Sequence, residues 1–179
     1  MGGGLMPVAI KNNTIYFLLG LENEYNDTPG WADFGGGAKK GENMLDTSLR
    51  EGSEELNGFL GSANDLKKLV RNHKIITLQY EKYTSYLFQI PYDENLPVYF
   101  NNNYKFMKSH LQRVVKEEDN GLLEKSNIKW FSLDQIKKER KYRPFFKNII
   151  NLLIKNYPLI KKKVKKTPYS LRKTQKNRK

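Results

Sequence analysis

The chain has 179 residues, a formal net charge of +13 and no cysteine. This length suits one domain with a single hydrophobic core, and the lack of thiols excludes disulfides and cysteine nucleophiles. No apolar run approaches the roughly 20 residues that span a bilayer, and the N-terminus has no basic segment followed by an apolar one. We therefore expect a soluble, cytoplasmic protein whose chemistry uses oxygen and nitrogen groups.

The first elements in chain order are predicted strands. The segments "LMPVAI" and "TIYFLLGLE" are rich in β-branched and aromatic residues and are separated by the turn "KNN". Pro7 places the first strand at a sheet edge or a bulge, because proline donates no ladder hydrogen bond. "WADF" is predicted to be a short strand that leads into the glycines of residues 35–37.

A helix is predicted over residues 43–56, and further strands and helices follow it. Its apolar residues recur at i, i+4, i+7 and i+11, which is the spacing of one buried helix face. The stripe consists of Leu45, Leu49, Gly52 and Leu56. Next come a short helix, "SANDLKKLVRN", capped by Ser62 or Asn64, and the strand pair "KIITLQY" and "TSYLFQI".

The last third of the chain begins with "VYFNNNYKFMKSHLQRVV", which is consistent with a helix or with a long loop. "NIKWF" is predicted to be a strand, and Ser132 with Gln135 forms a capping box for the helix after it. Pro144 suits the first turn of a final helix. This order of strands and helices predicts an α/β/α sandwich around a mixed β-sheet.

The positive charge is concentrated at the C-terminus, where residues 161–179 are rich in Lys and Arg and contain no acid. We therefore predict a domain over 1–158 and a polybasic tail over 159–179. The tail has too little apolar surface to fold on its own. Such a segment is typical of nucleic-acid contacts, and equally of a nuclear-localisation or solubilising tract.

Three carboxylates share one face of the helix over residues 43–56. Glu51 and Glu55 lie one turn apart and Glu54 lies beside them. Like charges this close raise one another's pKa and destabilise a helix unless a cation lies among them. An oxygen-only cluster of this kind suits Mg²⁺ or Mn²⁺. The glycines of residues 35–37 precede the helix and allow close backbone approach to a metal or a phosphate.

The spacing of these residues resembles the Nudix box, the signature of hydrolases that cut a diphosphate linked to a further group. The matching positions are Gly36, Glu42, Arg50, Glu51, Glu54 and Glu55. The resemblance implies a Nudix-type sandwich fold and a Mg²⁺ or Mn²⁺ cofactor. It also implies that Glu51 and Glu55 bind the metal, that Glu54 binds it directly or through water, and that the Gly35 carbonyl is a further ligand. Glu42 and Arg50 would form an ion pair that ties the loop to the helix.

Two positions depart from the family's pattern. Gly52 stands where a large aliphatic residue is usual, at a cost of roughly 1 kcal/mol of helix stability against Ala, and we interpret it as a mark of close packing on the sheet. Asn57 stands where the family's glycine ends the helix. Asn tolerates the left-handed conformation, and Gly58 follows it.

A second segment points to a substrate. "EKSNIKWFSLDQI" resembles the part of mRNA-decapping Nudix enzymes in which a distal glutamate precedes the "WF" strand. The resemblance implies that Glu124 reaches the metal site as a ligand or general base, with Glu117 and Glu118 as rivals. The expected products from capped RNA are a cap nucleoside diphosphate and 5′-monophosphate RNA. The basic tail would hold the RNA body through phosphate contacts. The candidate tail residues are Lys161, Lys162, Lys163, Lys165, Lys166, Arg172 and Lys173.

Two alternatives to decapping stay open, and the first is a hydrolase of diphosphoinositol polyphosphates or of nucleotide diphosphates. The triple glycine after Trp31 resembles diphosphoinositol-polyphosphate hydrolases, in which Lys39 and Lys40 would bind phosphates, although both could be solvated loop charges. Compact Nudix enzymes of large DNA viruses resemble both groups, and this Asn- and Lys-rich chain is similar to them. The other alternative is a non-catalytic RNA-binding protein that keeps only the Nudix scaffold.

Overall fold

A computed structural model describes residues 1–116 and 123–165 of the chain. The strands within these residues are Gly2–Lys11 (β1), Thr14–Glu22 (β2), Trp31–Ala32 (β3), Phe34–Gly37 (β4), Lys74–Tyr80 (β5), Tyr83–Gln89 (β6) and Lys125–Ser132 (β7). The helices are Met44–Glu55 (α1), Ala63–His73 (α2), Asn95–His110 (α3), Gln112–Lys116 (α4), Leu133–Lys138 (α5) and Phe146–Lys163 (α6). None of these helices is long and apolar enough to cross a membrane.

The strands form one sheet in the order β3-β2-β1-β6-β5, with β4 paired to β1 and β7 paired to β2. β1 runs parallel to β6, whereas its pairings with β2 and β4 are antiparallel. The pairs β2–β7 and β5–β6 are antiparallel as well. The sheet is therefore mixed, as the sequence predicted.

Pro7 lies in a central strand, so the edge alternative of that prediction is wrong. β1 pairs with β6 along one side. Along the other side, Leu5 pairs with Phe34 of β4, and Val8 pairs with Phe17 of β2. Pro7 lies between these two partner strands, where the ladder is interrupted and a missing N–H is tolerated.

Helices cover both faces of the sheet. The apolar side chains of α1 and α2 pack on one face together with Leu5 and Ala9 of β1. Those of α5 and α6 pack on the other face with Met6 and Val8. Since successive side chains of a strand point to opposite faces, β1 contributes to both cores. The predicted α/β/α sandwich is confirmed.

The helix starts mostly follow the sequence signals. Ser62, and not Asn64, caps α2 through a capping box with Asp65. Ser132 and Gln135 form the predicted capping box of α5. The segment for which both helix and loop were open forms α3 and continues into α4.

The last helix continues past the boundary predicted at residue 158. α6 runs through Pro158 to Lys163, and Ile160 is fully buried against the sheet, with Val164 also buried after the helix. Ile160 and Val164 follow Leu153 by seven and eleven residues, so they continue the apolar face of the helix that contains Leu153. The expectation that the tail begins at 159 is therefore wrong for residues 159–164, because burial of this stripe outweighs the helix-breaking effect of one proline.

Candidate active site

The glycines of β4 bring the sheet into contact with α1. A Cβ on Gly36 would lie 2.7 Å from the carboxyl carbon of Glu51, so a side chain there would displace the carboxylate. On the helix, a Cβ on Gly52 would lie 2.6 Å from Leu5 Cδ1 in β1. Gly52 thus marks a close contact between helix and sheet, as interpreted from the sequence, and Glu51 of α1 lies beside β4.

The end of α1 is tied to the residues before β7. Asn57 adopts a left-handed φ of 49° and Gly58 follows with 71°. The Asn57 Oδ1 accepts a hydrogen bond of 3.1 Å from the N–H of Leu123, which a glycine could not do. Asn23 donates from its own N–H to the Glu124 carbonyl at 2.7 Å. These bonds hold Glu124 near the helix that carries the other acids.

Arg50 and three carboxylates form one ion-pair cluster, which we call the Arg50 cluster. Arg50 donates from Nε and Nη2 to both oxygens of Glu42 at 2.7 and 2.9 Å. Its Nη1 donates to Glu51 at 2.8 Å and to Glu54 at 3.0 Å. Nη2 also donates to the Gly37 carbonyl at 3.1 Å. The predicted pair of Glu42 and Arg50 is present, and it fastens the loop after β4 to α1.

The charges in the Arg50 cluster shift the pKa values of its members. The hydrogen bonds from Arg50 lower the pKa of Glu42 to about 2. Hydrogen bonding to Glu42 is also the main cause that raises the pKa of Arg50. Burial raises the pKa of Glu51, although Arg50 opposes this. Glu42 therefore stays ionised, whereas a further cation nearby would stabilise the ionised form of Glu51.

A second cluster, which we call the Lys125 cluster, lies deeper and was not expected from the sequence. Lys125 at the start of β7 is fully buried, binds Glu22, and lies 3.0 Å from Glu55 Oε1. Arg143 donates to Glu22 from Nη1 at 3.0 Å. Glu55 therefore shares a buried cation with Glu22, and Lys125 is part of the candidate active site.

Electrostatics link the Lys125 cluster to Glu124. Burial raises the pKa of Glu55 well above its usual value; Lys125 opposes this shift, while Glu22 and Glu124 add to it. Burial would lower the pKa of Lys125, but its attraction to Glu55 and Glu22 raises it overall. Burial also raises the pKa of Glu124, and the charges of Glu51, Glu22 and Glu54 increase that shift. Glu124 thus interacts electrostatically with the acids of α1.

The remaining predicted residues fall into three groups. Gly35 is buried in β4 opposite Gly4 of β1. Lys39 and Lys40 are exposed in the loop before α1, and the charge of Lys39 lowers the pKa of Glu51. The rival acids Glu117 and Glu118 lie outside the described residues.

Four of the predicted tail residues lie within the described part of the chain. Lys161, Lys162 and Lys163 are exposed in the last turn of α6. Lys165 is exposed too, and its backbone N–H and carbonyl bond the side chain of Gln89 in β6 at 2.9 and 2.8 Å. Lys166, Arg172 and Lys173 lie outside the described residues.

The chemistry of the acids fits a hard divalent cation. Glu51, Glu54, Glu55 and Glu124 supply only carboxylate oxygens, which Mg²⁺ and Mn²⁺ prefer. Glu55 Oε2 is buried without a hydrogen-bond partner, and a cation would satisfy it. Within residues 1–116 and 123–165, no three acidic or histidine side chains already surround one metal position. Arg50 holds Glu51 and Glu54 in ion pairs, and Lys125 holds Glu55. Side-chain rotation would therefore have to bring the acids together around a cation.

A buried acid, Asp33, directly precedes the glycine strand β4. Asp33, between β3 and β4, is 1% exposed and accepts a hydrogen bond of 2.7 Å from the Tyr83 hydroxyl. Burial raises the pKa of Asp33 to about 6, although the hydrogen bond from Tyr83 and the charge of Lys125 oppose the shift. Neither Asp33 nor Tyr83 was singled out as a site residue from the sequence.

Solved structures share this fold. An Ap4A hydrolase of C. elegans is similar at 19% sequence identity with a TM-score of 0.54, over 89% of this chain and 98% of that one. A bifunctional NMN adenylyltransferase/ADP ribose pyrophosphatase of Francisella tularensis is similar at 19% identity with a TM-score of 0.51, over 86% of this chain and 40% of that one. No protein-family model matches the sequence, and no curated protein matches it.

These similarities establish the fold, a Nudix-type α/β/α sandwich, as the box had implied. At identities of 18% to 19% they establish the fold alone. The resemblance to viral and mRNA-decapping enzymes stays a prediction.

Proposed function

We propose that this chain is a metal-dependent Nudix hydrolase that cleaves a diphosphate linkage, and that its substrate is the 5′ cap of mRNA. One observation carries the proposal: α1 presents three carboxylates, and Glu51 among them lies against Gly36 of the glycine strand β4. The charges of Glu51 and Glu54 also help to raise the pKa of Glu124, so Glu124 interacts with the same group. Such a carboxylate group next to exposed backbone suits a cation with a diphosphate bound to it.

In this proposal, Glu51, Glu54, Glu55, Glu124 and the Gly35 carbonyl hold Mg²⁺ or Mn²⁺. When bound, the ion would neutralise charge on the diphosphate and lower the pKa of a bound water. Glu124 accepts the proton of the attacking water, a role that suits a half-buried carboxylate with a raised pKa. Lys39 and Lys40, which are exposed in the loop before α1, would bind the phosphates.

The basic end of the chain supports the choice of RNA. Lys161, Lys162 and Lys163 form an exposed basic turn that leads into the tail. Contacts between this segment and the RNA backbone would add affinity that declines as salt rises. The products would be a cap nucleoside diphosphate and 5′-monophosphate RNA.

A second candidate is hydrolysis of a dinucleoside polyphosphate. The specific observation in its favour is the structural similarity to a protein described as an Ap4A hydrolase, over nearly the whole of both chains. Ap4A and a capped RNA end share one chemical feature, which is a nucleoside joined through a phosphate chain to another nucleoside. The same acids would serve either substrate.

The test compares hydrolysis of cap-labelled RNA, Ap4A and a diphosphoinositol polyphosphate in the presence of Mg²⁺ or Mn²⁺. Glu55→Gln should lower turnover by about a thousandfold, since the metal supplies several kcal/mol of barrier lowering. Glu94→Gln is the matched control, because Glu94 is an exposed acid paired with Lys11. A protein ending at Lys165 tests the tail and leaves α6 intact.

The pattern of turnover distinguishes the candidate functions. Release of cap nucleoside diphosphate from long RNA, weakened by the truncation mainly at higher salt, supports decapping. Faster turnover of Ap4A that is indifferent to the truncation favours the second candidate. Turnover of the inositol substrate alone contradicts both and leaves the tail for nuclear targeting or solubility. RNA binding without metal-dependent turnover of any substrate supports the non-catalytic alternative.

A further inference from the structure

Three donors fix the carboxylate of Glu22, the acid that ends β2. Its Oε1 accepts hydrogen bonds from the buried ammonium of Lys125 and from Arg143 Nη1, the latter at 3.0 Å. Its Oε2 accepts a hydrogen bond of 3.1 Å from Asn26 Nδ2. Glu22 is only 4% exposed, so water has little access to replace these partners. The ammonium of Lys125 is therefore held by an acid that is itself held in place.

The aliphatic stem of Lys125 is confined as well. β2 and β7 pair with Glu22 opposite Lys125 and with Gly20 opposite Ile128. A Cβ on Gly20 would lie 2.9 Å from both Cγ and Cδ of Lys125, so the glycine leaves the space that the stem fills. Stem and ammonium are thus both fixed inside the protein, and the ammonium also reaches α1.

Glu55 has one bound and one unbound carboxylate oxygen. Its Oε1 lies 3.0 Å from Lys125 Nζ. Its Oε2 is buried and has no hydrogen-bond partner among the described residues, although buried polar atoms are normally paired. The ion pair with Lys125 therefore determines which oxygen of Glu55 stays available for a hard divalent cation.

The other two acids of α1 are less constrained than Glu55. The side chains of Glu51 and Glu54 are 13% and 31% exposed, and both accept from Arg50 Nη1. Water can replace that partner when they rotate. Rotation of the buried Glu55 carboxylate would instead break its contact with a buried cation, which is costly. Glu55 is therefore the fixed acid of the group, and the more exposed acids are those that move to meet a cation.

The end of β2 also holds the chain at Glu124. The N–H of Asn23 donates to the Glu124 carbonyl at 2.7 Å, and its Nδ2 donates to the Leu123 carbonyl at 3.1 Å. The neighbouring Glu22 binds Lys125. Two successive residues of β2 and the loop after it therefore position both Glu124 and Lys125.

A lysine beside a metal ligand has two opposing effects on metal binding. Its charge repels a divalent cation, whereas its hydrogen bond orients the ligand. Glu22 offsets the charge, because it binds the same ammonium, so the pair of Lys125 and Glu22 is formally neutral. Glu55 thus keeps its own negative charge for the metal, and we expect orientation to be the larger effect.

We propose that Lys125 is a positioning residue for the metal site: it holds Glu55 through Oε1 and leaves Oε2 to bind the cation. Gly20 and Glu22 support Lys125 by fixing its stem and its ammonium. The inference rests on the proposed function and deepens it, because it assigns the group that orients a metal ligand. Lys125 itself contacts neither the metal nor the substrate.

The test measures the Kd of Mn²⁺ for the full chain by calorimetry, without substrate, so that the readout does not depend on turnover. Lys125→Met should raise this Kd about 10- to 100-fold, which is the usual loss when an outer partner of a metal ligand is removed. Lys129→Met is the matched control and should bind Mn²⁺ like wild type, since Lys129 is an exposed lysine of the same strand. Circular dichroism with a chelator present checks that each variant is folded.

Two further variants separate orientation from charge and from folding. Gly20→Ala changes no charge but displaces the stem of Lys125, and it should also raise the Kd of Mn²⁺. In a Glu55→Gln background, Lys125→Met should change the Kd by no more than about twofold, because the oriented ligand is already lost. Gly20→Ala decides the question if Lys125→Met does not fold.

Three results would overturn the positioning role. Tighter Mn²⁺ binding by Lys125→Met would show that repulsion is the larger effect. An unchanged Kd in every folded variant would show that Lys125 serves stability alone. An equal rise in Kd with and without Glu55 would show that Lys125 does not act through Glu55.

Turnover of the same variants distinguishes this inference from the proposed function. Weaker Mn²⁺ binding by Lys125→Met and Gly20→Ala, in a protein that hydrolyses none of the substrates, upholds the positioning role and contradicts the hydrolase proposal. Metal-dependent turnover by wild type with a Kd that is indifferent to Lys125 does the reverse. Absence of Mn²⁺ binding by wild type would overturn both.

Discussion

The Arg50 cluster and the Lys125 cluster hold the same helix, and they differ in exposure. The side chains around Arg50 are 13% to 31% exposed, whereas those of Lys125, Glu22 and Glu55 are at most 2% exposed. Water can replace a lost partner in the first cluster. In the second cluster, an acid that loses its cation keeps an uncompensated buried charge. Ion pairs a few residues apart on α1 therefore contribute to different properties of the protein.

Removal of the buried cation should have the largest effect. Lys125→Met leaves Glu22 and Glu55 without their shared partner and should destabilise the fold by about 3–5 kcal/mol. The measurement is the free energy of unfolding from urea titration at neutral pH, with a chelator present so that metal binding does not contribute.

The same strand offers a control for this substitution. Lys129→Met removes an exposed lysine of β7 that lies 5.1 Å from the Phe131 ring, and should cost less than about 1 kcal/mol. Adding Glu55→Gln to Lys125→Met should restore part of the lost stability, because one buried charge is removed. If Lys125→Met and Lys129→Met were equally mild, the contrast between the two clusters would be wrong.

The Arg50 cluster could be predicted from the sequence because its members are local. Arg50, Glu51 and Glu54 lie within one helical turn and a half, and Glu42 is on the loop before the helix. Helical periodicity and the resemblance to the Nudix box are enough to place such residues together. Gly52 and Asn57 were also interpreted correctly, since close packing and a left-handed cap are local properties.

The Lys125 cluster could not be predicted because it joins distant parts of the chain. Glu22 ends β2 and Lys125 begins β7, and they meet only because these strands pair, with Glu22 opposite Lys125. One weak signal existed: Glu22 closes an otherwise apolar strand, and a charge in that position needs a partner. The edge position predicted for Pro7 was wrong for a similar reason. The same side of β1 pairs first with β4 and then with β2, and this change of partner is a property of the whole sheet.

Ionisation of Asp33 should change the free energy of unfolding by an intermediate amount that depends on pH. Its pKa is about 6 in the folded protein and 3.8 as the ordinary value, so the folded state binds the proton more tightly. The resulting stabilisation is fully present below pH 3.8 and is lost as pH rises through about 6. It amounts to at most about 3 kcal/mol, since one pKa unit corresponds to about 1.4 kcal/mol.

The difference in unfolding free energy between wild type and Asp33→Asn should depend on pH. Between about pH 4 and pH 7, relative stability should move in favour of the variant, because Asn cannot acquire the buried charge. Asp134→Asn, at an exposed position of α5, is the control and should show a smaller change. The measurement is urea unfolding across that pH range with a chelator present. A flat difference for Asp33→Asn would show that burial does not govern its ionisation.

Arg50→Lys should have the smallest effect on stability and the clearest dependence on salt. Lysine keeps the charge, but it cannot reach both oxygens of Glu42 and also bond Glu51, Glu54 and the Gly37 carbonyl. Because the cluster is partly solvated, the loss should be about 1 kcal/mol at low salt and should shrink between about 0.05 M and 0.5 M NaCl. The loss of stability in Lys125→Met should stay nearly constant over the same range, since ions do not screen a buried pair.

Activity should behave differently from stability in Arg50→Lys, because Arg50 orients two candidate metal ligands. Removal of such supporting bonds typically lowers activity about 10- to 100-fold. A large, salt-independent loss of stability in Arg50→Lys would show that the two clusters act as one unit and that exposure is the wrong distinction between them.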